Sequence, residues 1–297
     1  MSEQRVAIVT GAASGIGKAL ATRLVEKNWR VALLDINEEA GTELASTLGP
    51  STIFLRTDVS SYQSQSLAFS TVFFTFGRID ALCANAGIVD RSSLYLLSHK
   101  PTSTVTDIPP SPDLTATDID LKGVIYGVYL ATHFMRFNPT SSSSTGFQKK
   151  IIATSSIAGS VPHPALPEYS AAKAGVVGFV RAVAPVLRQK EKIAFSAVCP
   201  GLAATAVLPG FVCDAVGENL LTPVDAVVKA YEMYLEEETD KYAGEVSEVV
   251  GTSVDVVPPP KVKTDLARLM MVAGMEPIFG ALHSNGEASG VDVKGFF

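Results

Sequence analysis

The chain has 297 residues, 47% of them hydrophobic, which suits one large α/β domain or two small ones with a buried core. Its formal net charge of -6 argues against a broad phosphate-binding surface, so we expect a small-molecule partner and no nucleic acid. The three widely spaced cysteines favour neither a disulfide framework nor a metal site and indicate a reducing compartment. We expect no secretion signal, because the chain reaches Arg5 without an apolar core, and no membrane span, because no later apolar run reaches about eighteen residues. We hence expect a cytoplasmic protein.

The first predicted element is a strand over residues 5–9, followed by a glycine-rich turn and helical spacing from Ala19. This order is typical of a dinucleotide-binding site. Gly11, Gly15 and Gly17 allow a sharp turn and a close approach to a pyrophosphate, whose charge the helix N-terminus attracts. An ordinary tight turn has the same composition, so this interpretation depends on the residues that follow.

Asp35 closes the second apolar run, over residues 31–34. A carboxylate at this strand end accepts hydrogen bonds from the ribose hydroxyls and repels a 2′-phosphate. Ser14 in the glycine turn adds no positive charge to offset that repulsion. The pattern therefore favours NAD over NADP.

Apolar strands and helical patterns alternate along the rest of the chain. We predict strands over 52–55, 79–83, 149–153 and 244–250, and helices over 38–48, 61–76, 119–137 and 169–188, the last kinked or ended by Pro185. This alternation predicts an α/β fold, a Rossmann-type doubly wound parallel sheet flanked by helices, in one domain over 1–251. Residues 90–117 are predicted to be a long loop. Residues 252–297 form a tail with a short amphipathic helix near 266–271, which caps the pocket, packs on another subunit or simply frays.

Two strand-end loops carry further candidate residues. Asp58 and Val59 follow the third strand, where the Asp58 carboxylate can bind an adenine amino group or cap the next helix. Asn85, Ala86 and Gly87 follow the fourth strand, where small residues let the backbone pass close to a dinucleotide or form an ordinary turn.

Tyr169 and Lys173 are the candidate catalytic pair. Because they are four residues apart, they share one face of the predicted helix, and an ammonium near a phenol stabilises its phenolate form. Tyr169 can then exchange a proton with a carbonyl oxygen. Ser155 and Ser156 follow the fifth strand, at the edge of the sheet where ligands bind. The same Tyr–Lys spacing is also common on solvated helix faces.

Taken together, these motifs resemble the short-chain dehydrogenase/reductase family over residues 6–250. The resemblance rests on the turn at 10–17, Asp58, the 85–87 loop, Ser156 thirteen residues before Tyr169, Lys173, Pro200-Gly201 and Thr205. Within the family, the residues around 199–208 are most similar to the NAD-dependent hydroxyprostaglandin dehydrogenases and their fungal relatives. The resemblance implies an oxidoreductase with a homodimer or homotetramer as its assembly.

The family's roles imply that Tyr169 is the general acid/base, Ser156 rather than Ser155 holds the substrate oxygen, and Lys173 binds the nicotinamide ribose. The cofactor-binding residues are then Gly11, Ser14, Gly15, Ile16, Gly17, Asp35, Ile36, Asp58, Val59, Asn85, Ala86, Gly87, Tyr169, Lys173, Pro200, Gly201 and Thr205. The substrate segment is 202–220, and the pocket candidates are Val161, His163, Leu166, Leu202, Val207, Leu208 and Phe211. A solvated role for His163 is favoured over substrate contact, and no metal site is predicted.

Asp120 departs from the family pattern, which has asparagine at the site that links the lysine to solvent. Aspartate keeps the size and main-chain carbonyl but loses the amide donor. We expect a rewired proton relay, organised by the main chain of Asp120, rather than loss of activity.

The expected function is interconversion of a secondary alcohol and a ketone on a medium-sized, largely apolar substrate with NAD(H). A non-redox isomerase, lyase or cyclase that binds a nicotinamide cofactor on the same scaffold is the main alternative. A non-catalytic NAD-sensing module has less support, because it has no use for Ser156, Tyr169 and Lys173 together. Consumption of the nicotinamide cofactor during turnover distinguishes the oxidoreductase from the non-redox enzyme.

Overall fold

The computed structural model describes residues 4–98, 104–139, 149–205, 215–284 and 288–291. Its strands are β1 (Val6–Thr10), β2 (Arg30–Asp35), β3 (Thr52–Arg56), β4 (Ala81–Ala84), β5 (Lys149–Thr154), β6 (Ile193–Pro200), β7 (Val246–Val250) and β8 (Ser253–Val256). They form one sheet in the order β3-β2-β1-β4-β5-β6-β7-β8. All neighbouring strands are parallel except β7 and β8. The strand order reverses between β1 and β4, and open α/β sheets bind ligands at such a switch point.

The helices are α1 (Gly15–Glu26), α2 (Glu38–Leu48), α3 (Tyr62–Phe76), α5 (Pro167–Val186), α6 (Val224–Glu236) and α7 (Asp265–His283). Three further stretches follow one another without a break and are together called α4: Thr115–Thr117, the wider π turn Asp118–Lys122, and Gly123–Met135. Short 3-10 turns occur at Leu96–Ser98, Ile157–Gly159 and Glu218–Leu220. These bounds place Ser156 just after β5, Asp120 on α4, and Tyr169 and Lys173 on α5.

Helices cover both faces of the sheet. Apolar residues of α1, α2 and α6 form one buried cluster with the sheet, and those of α3, α4 and α5 form the other. Strands β1, β4 and β6 are consequently buried along their whole length. Burial on both faces explains why these strands read as continuous apolar runs instead of alternating patterns.

The predicted fold is confirmed, with element boundaries displaced by up to four residues. Such displacements are usual, because helix and strand ends depend on caps and neighbours. Pro185 ends the regular part of its helix, since α5 stops at Val186 and continues as the π turn Leu187–Glu191. Cys83 and Cys199 are buried and free.

Three predictions from the pattern are wrong in detail. The loop predicted over 90–117 is interrupted by the turn Leu96–Ser98, and its last residues already belong to α4. Strand β8 was not predicted, because it is an exposed edge strand formed by pairing with β7 across Gly251 at φ 57°. The tail helix α7 runs to His283 rather than ending near 271.

By length and apolar composition alone, the helical stretch Pro167–Glu191 could cross a membrane. Within the described ranges no other helix is both long and apolar enough. Half of its most apolar 18-residue segment is buried inside the fold. Its residues Val176, Val180 and Ala184 belong to the core beneath the sheet. A core helix needs apolar side chains on the face that it buries, and this accounts for the apolar character of α5.

Candidate active site

Tyr169 and Lys173 lie one helical turn apart near the start of α5. The Lys173 ammonium lies 5.5 Å from the centroid of the Tyr169 ring. Lys173 is buried, with 2% of its surface exposed, whereas Tyr169 is only partly buried. The pair therefore has a charged end inside the fold and a phenol that reaches the surface.

The Lys173 ammonium is held by two oxygens from other elements. It donates to the main-chain carbonyl of Thr154 at 2.9 Å and forms an ion pair with Asp120 Oδ2 at 3.0 Å. Burial alone lowers the pKa of Lys173, but the nearby Asp120 carboxylate and Tyr169 outweigh it, so the pKa is raised. Lys173 thus stays charged at neutral pH beside the Tyr169 ring.

Asp120 is fully buried in the π turn of α4. Its Oδ1 accepts a hydrogen bond from the backbone N–H of Ile88 at 2.9 Å. Desolvation raises the pKa of the Asp120 carboxyl, and the Lys173 ammonium only partly offsets this. The contact with Lys173 is made by the side chain, which the sequence did not indicate. The main-chain relay remains a prediction.

Gly87 leaves the space that this ion pair occupies. A Cβ at position 87 would lie 2.9 Å from Asp120 Oδ2 and 3.1 Å from Lys173 Nζ. The first distance is shorter than real Cβ contacts and the second is tighter than most, so a side chain at this position would displace the pair. The small residue predicted for cofactor approach therefore also makes room for the buried pair.

The two serines after β5 have different environments. Ser155 Oγ is buried and donates to the carbonyl of Lys173 at 2.8 Å. Ser156 Oγ instead accepts from the N–H of Ala158 at 3.1 Å, which leaves its proton free to be donated. This difference supports the preference for Ser156 over Ser155 as the group that holds a substrate oxygen.

The glycine turn is tight and leaves no room for side chains at its glycines. Gly11 and Gly15 have φ values of 64° and 51°, and a Cβ on Gly17 would lie 2.1 Å from the Gly11 carbonyl oxygen. Helix α1 begins at Gly15, directly after Ser14, and Ile16 lies in its first turn. A Cβ on Gly15 would lie 3.0 Å from the Cβ of Thr205, which places the segment after β6 against this turn.

The Asp35 carboxylate lies at the end of β2 beside the same turn. Oδ2 accepts from the N–H of Ala13 and Oδ1 from that of Asn37, both at 2.9 Å. Each carboxylate oxygen can accept a second hydrogen bond, so ribose hydroxyls can still bind. Ile36 is 62% exposed next to it.

The remaining strand-end loops also lie at this edge. Asp58 Oδ1 accepts from the N–H of Ser60 at 2.9 Å and from its hydroxyl at 2.7 Å. Ser61 caps α3, so Asp58 shapes the turn before the helix and is not its cap. Val59 packs against Gly123 of α4, where a Cβ would meet its carbonyl oxygen at 3.0 Å.

Thr10 is a site residue that the sequence did not single out. Its hydroxyl accepts hydrogen bonds from the N–H groups of Asn85 at 2.9 Å and Ala86 at 3.0 Å. The Asn85 amide donates to the Thr10 carbonyl at 3.1 Å. These bonds fix the loop after β4 to the glycine turn, and only pairing of β1 with β4 shows that they are neighbours.

The segment after β6 is anchored at its start. Gly201 N–H donates to the Val249 carbonyl at 2.8 Å, immediately after Pro200 ends the strand. The Leu202 carbonyl accepts from the N–H of Thr222 at 2.6 Å. The pocket candidates Val207, Leu208 and Phe211 lie outside the described residues, so their role stays a prediction.

The loop before α5 holds the other pocket candidates. Val161 is 73% exposed, and Leu166 is partly buried at the start of the helix. His163 is exposed, and its Nδ1 accepts from the N–H of Ala165 at 3.2 Å, in line with the favoured solvated role. Tyr95 reaches this loop from the 90–117 region and donates its hydroxyl to the Pro164 carbonyl at 2.7 Å.

The fold and this edge define a class of protein. A doubly wound parallel sheet with a glycine turn after β1, an acidic β2 end and Ser, Tyr and Lys beside β5 is a Rossmann-type fold of the kind that binds dinucleotides. The model of the short chain dehydrogenase family matches residues 5–211. The chain belongs to the short-chain dehydrogenase/reductase family and is an oxidoreductase.

Known relatives agree with this assignment. The chain is 42% identical to the short-chain dehydrogenase/reductase prx6 of Penicillium rubens, over 98% of this chain and 97% of that protein. It is 34% identical to human 15-hydroxyprostaglandin dehydrogenase [NAD(+)], over 69% of this chain and 70% of that protein. A 3-ketoacyl-(acyl-carrier-protein) reductase from Brucella melitensis, solved with NADH, matches 84% of this chain and 98% of its own at a TM-score of 0.70 and 22% identity. That last likeness is one of fold.

Proposed function

We propose that the protein interconverts a secondary alcohol and a ketone with NAD(H), and that Tyr169 is the general acid/base. The observation that carries the proposal is the buried Lys173 ammonium, fixed by Asp120 and Thr154 and directed at the Tyr169 ring. A fixed positive charge in a site of low dielectric stabilises the phenolate that a proton-accepting tyrosine must form.

The residues present fit a bound dinucleotide. The backbone of the glycine turn packs so closely on itself and on Ala86 that side chains at Gly11 and Gly17 would collide with backbone atoms. The N-terminus of α1 lies there to attract a pyrophosphate, and the Asp35 carboxylate to bind a ribose. When bound, the nicotinamide supplies the hydride acceptor or donor.

The chain's own residues then manage the substrate oxygen. In the oxidation direction, Ser156 donates a hydrogen bond to this oxygen while Tyr169 removes its proton. In reduction, Tyr169 returns the proton. Lys173 keeps its charge throughout, because Asp120 opposes the effect of burial on its pKa.

The proposed substrate is medium-sized and largely apolar. Leu94, Tyr95 and Leu96 lie exposed in the region that contacts the loop before α5, and Val161 of that loop is exposed as well. Exposed apolar side chains beside a catalytic edge are typical of a binding surface for an apolar molecule. The name of the human relative, a hydroxyprostaglandin dehydrogenase, supports a hydroxyl as the reacting group.

Purified protein mixed with NAD and a panel of hydrophobic secondary alcohols tests this function. We expect growth of NADH absorbance with at least one alcohol, and its decay when the matching ketone is added. Conversion of a substrate without any change in NADH absorbance would favour the non-redox alternative. Absence of turnover in both directions across the panel would contradict the proposed substrate class.

Asp35→Ser is expected to raise the ratio of kcat/KM with NADP to that with NAD by about 10–100-fold. The reason is that hydrogen bonds to a charged group are worth about 1.5–3 kcal/mol, and the repulsion of a 2′-phosphate is lost as well. Steady-state kinetics with both cofactors measures the ratio. Asp225→Ser serves as the control, because Asp225 is an exposed aspartate paired with Arg23 and Lys229. An unchanged ratio in Asp35→Ser would refute the role of Asp35 in cofactor choice.

We further propose a cytoplasmic homodimer or homotetramer that binds neither nucleic acid nor membranes. The apolar side chains Tyr129, 68% exposed within α4, and Phe137, 62% exposed just beyond the end of α4, support an assembly. Light scattering of the purified protein should give a mass of two or four chains. A monomer mass at micromolar concentration would contradict the assembly.

A further inference from the structure

Helix α5, which carries Tyr169 and Lys173, has no cap in its own sequence. The residue before its first turn is Leu166, whose side chain cannot accept a hydrogen bond, and Pro167 has no N–H. The N–H groups of Glu168 and Tyr169 are therefore the first that need an acceptor from elsewhere.

Asp90 supplies both acceptors from the loop after β4. Its Oδ2 accepts from the Glu168 N–H at 3.0 Å, and its Oδ1 accepts from the Tyr169 N–H at 2.8 Å. A carboxylate that binds two N–H groups at a helix N-terminus combines a cap with favourable interaction with the helix dipole. The backbone of Tyr169 is thus held by a residue 79 positions earlier in the chain.

The same loop holds the other parts of the site. Ile88 donates its N–H to Asp120, and Asn85 and Ala86 donate theirs to the Thr10 hydroxyl in the glycine turn. The six residues 85–90 therefore connect the cofactor edge, the Asp120–Lys173 pair and the Tyr169 turn.

Glu168 extends these contacts to α4. It is buried, and its Oε1 accepts from the Thr117 N–H at 2.7 Å, immediately before the π turn that holds Asp120. The first turn of α5 is consequently fixed on both sides. The Asp90 side chain binds its backbone N–H groups, and the Glu168 side chain ties it to α4.

We infer that Asp90 is a positioning residue, which sets the place of the Tyr169 phenol relative to Lys173 and the substrate oxygen. The inference rests on the proposed function. Displacement of a reacting group by about 1 Å can cost about 100-fold in rate, whereas loss of an ordinary helix cap affects only stability.

The test compares Asp90→Ala and Asp90→Asn with the wild type and with Ser61→Ala. Ser61 caps α3, which carries none of the predicted catalytic residues, by accepting from the Ser64 N–H at 3.3 Å, so Ser61→Ala removes a cap of the same kind from another helix. We expect Asp90→Ala to lower kcat by about 10–100-fold at 25 °C, with the dissociation constant for NADH within threefold of the wild type. Asp90→Asn, which retains one acceptor oxygen, should recover part of kcat, and Ser61→Ala should leave kcat unchanged.

Hydrogen exchange gives a readout that is independent of turnover. Exchange at the Glu168 and Tyr169 amides should rise in Asp90→Ala and less in Asp90→Asn. If Asp90→Ala does not fold, a lowered kcat with faster exchange at these amides in Asp90→Asn supports the inference. A kcat within twofold of the wild type in every folded Asp90 variant would overturn it. Failure of the proposed function is a separate result, because the wild type itself would then produce no NADH.

Discussion

Tyr169→Phe is expected to lower kcat by about 100- to 10,000-fold, the usual contribution of a positioned general acid or base. The change removes the phenol oxygen and keeps the ring beside the Lys173 ammonium. NADH binding and thermal stability should therefore stay close to those of the wild type. Stopped-flow absorbance with the best alcohol of the panel measures the loss, and fluorescence titration measures NADH binding.

Tyr62→Phe is the matched control for this prediction. Tyr62 lies at the start of α3, with its ring centroid 5.3 Å from that of Tyr126, and the change removes only an exposed hydroxyl. Its kcat should equal that of the wild type. Activity of Tyr169→Phe above a tenth of the wild-type value would exclude Tyr169 as the general acid/base.

Asp120→Leu is expected to lower the free energy of unfolding by about 3–5 kcal/mol, the cost of breaking a buried ion pair by removing one partner. Lys173 is buried, so its ammonium would lose its counter-charge without gaining access to water. The Ile88 N–H would lose its acceptor as well. Urea unfolding followed by circular dichroism measures the change.

Two other variants sharpen this prediction. Asp118→Leu, two residues earlier in the same π turn, removes an exposed ion pair with Lys122 and should change stability little. Asp120→Asn keeps the acceptor for Ile88 and the size of the side chain, so it should fold and remain active. If the free energy of unfolding of Asp120→Leu equalled that of Asp118→Leu, a structural role for the Asp120–Lys173 ion pair would be contradicted. A hundredfold gain in turnover in Asp120→Asn would mean that the native chain is not a well-adapted oxidoreductase.

The parts of the site that were predictable from the sequence depend on local spacing. Tyr169 and Lys173 share a helix face because of the period of the helix, and Gly11, Gly15 and Gly17 form a turn because only glycine tolerates such backbone geometry. The preference for Ser156 over Ser155 came from the family resemblance, in which the serine precedes the tyrosine by the thirteen residues that separate Ser156 from Tyr169. The different hydrogen bonds of the two serines became visible only with β5 packed on α5.

Long-range contacts were not predictable in this way. Asp120 was identified as a departure from the family pattern, but its side-chain contact with Lys173 joins residues that only the packing of α4 on α5 brings together. Asp90 and Glu168 were part of no motif, since each acts on the backbone of a distant element. Nothing in the amino-acid pattern marks an aspartate as the cap of a helix that begins almost eighty residues later.

The sequence by itself predicted the fold class, because hydrophobic periodicity and glycine geometry act over a few neighbouring residues. Its resemblance to the family predicted which residues are central. Only the tertiary structure decided how those residues are held. Lys173 keeps its charge because Asp120 is buried against it, and Tyr169 keeps its place because Asp90 caps its helix. Both effects depend on burial and on contacts across the sheet edge, which arise only when distant segments pack together.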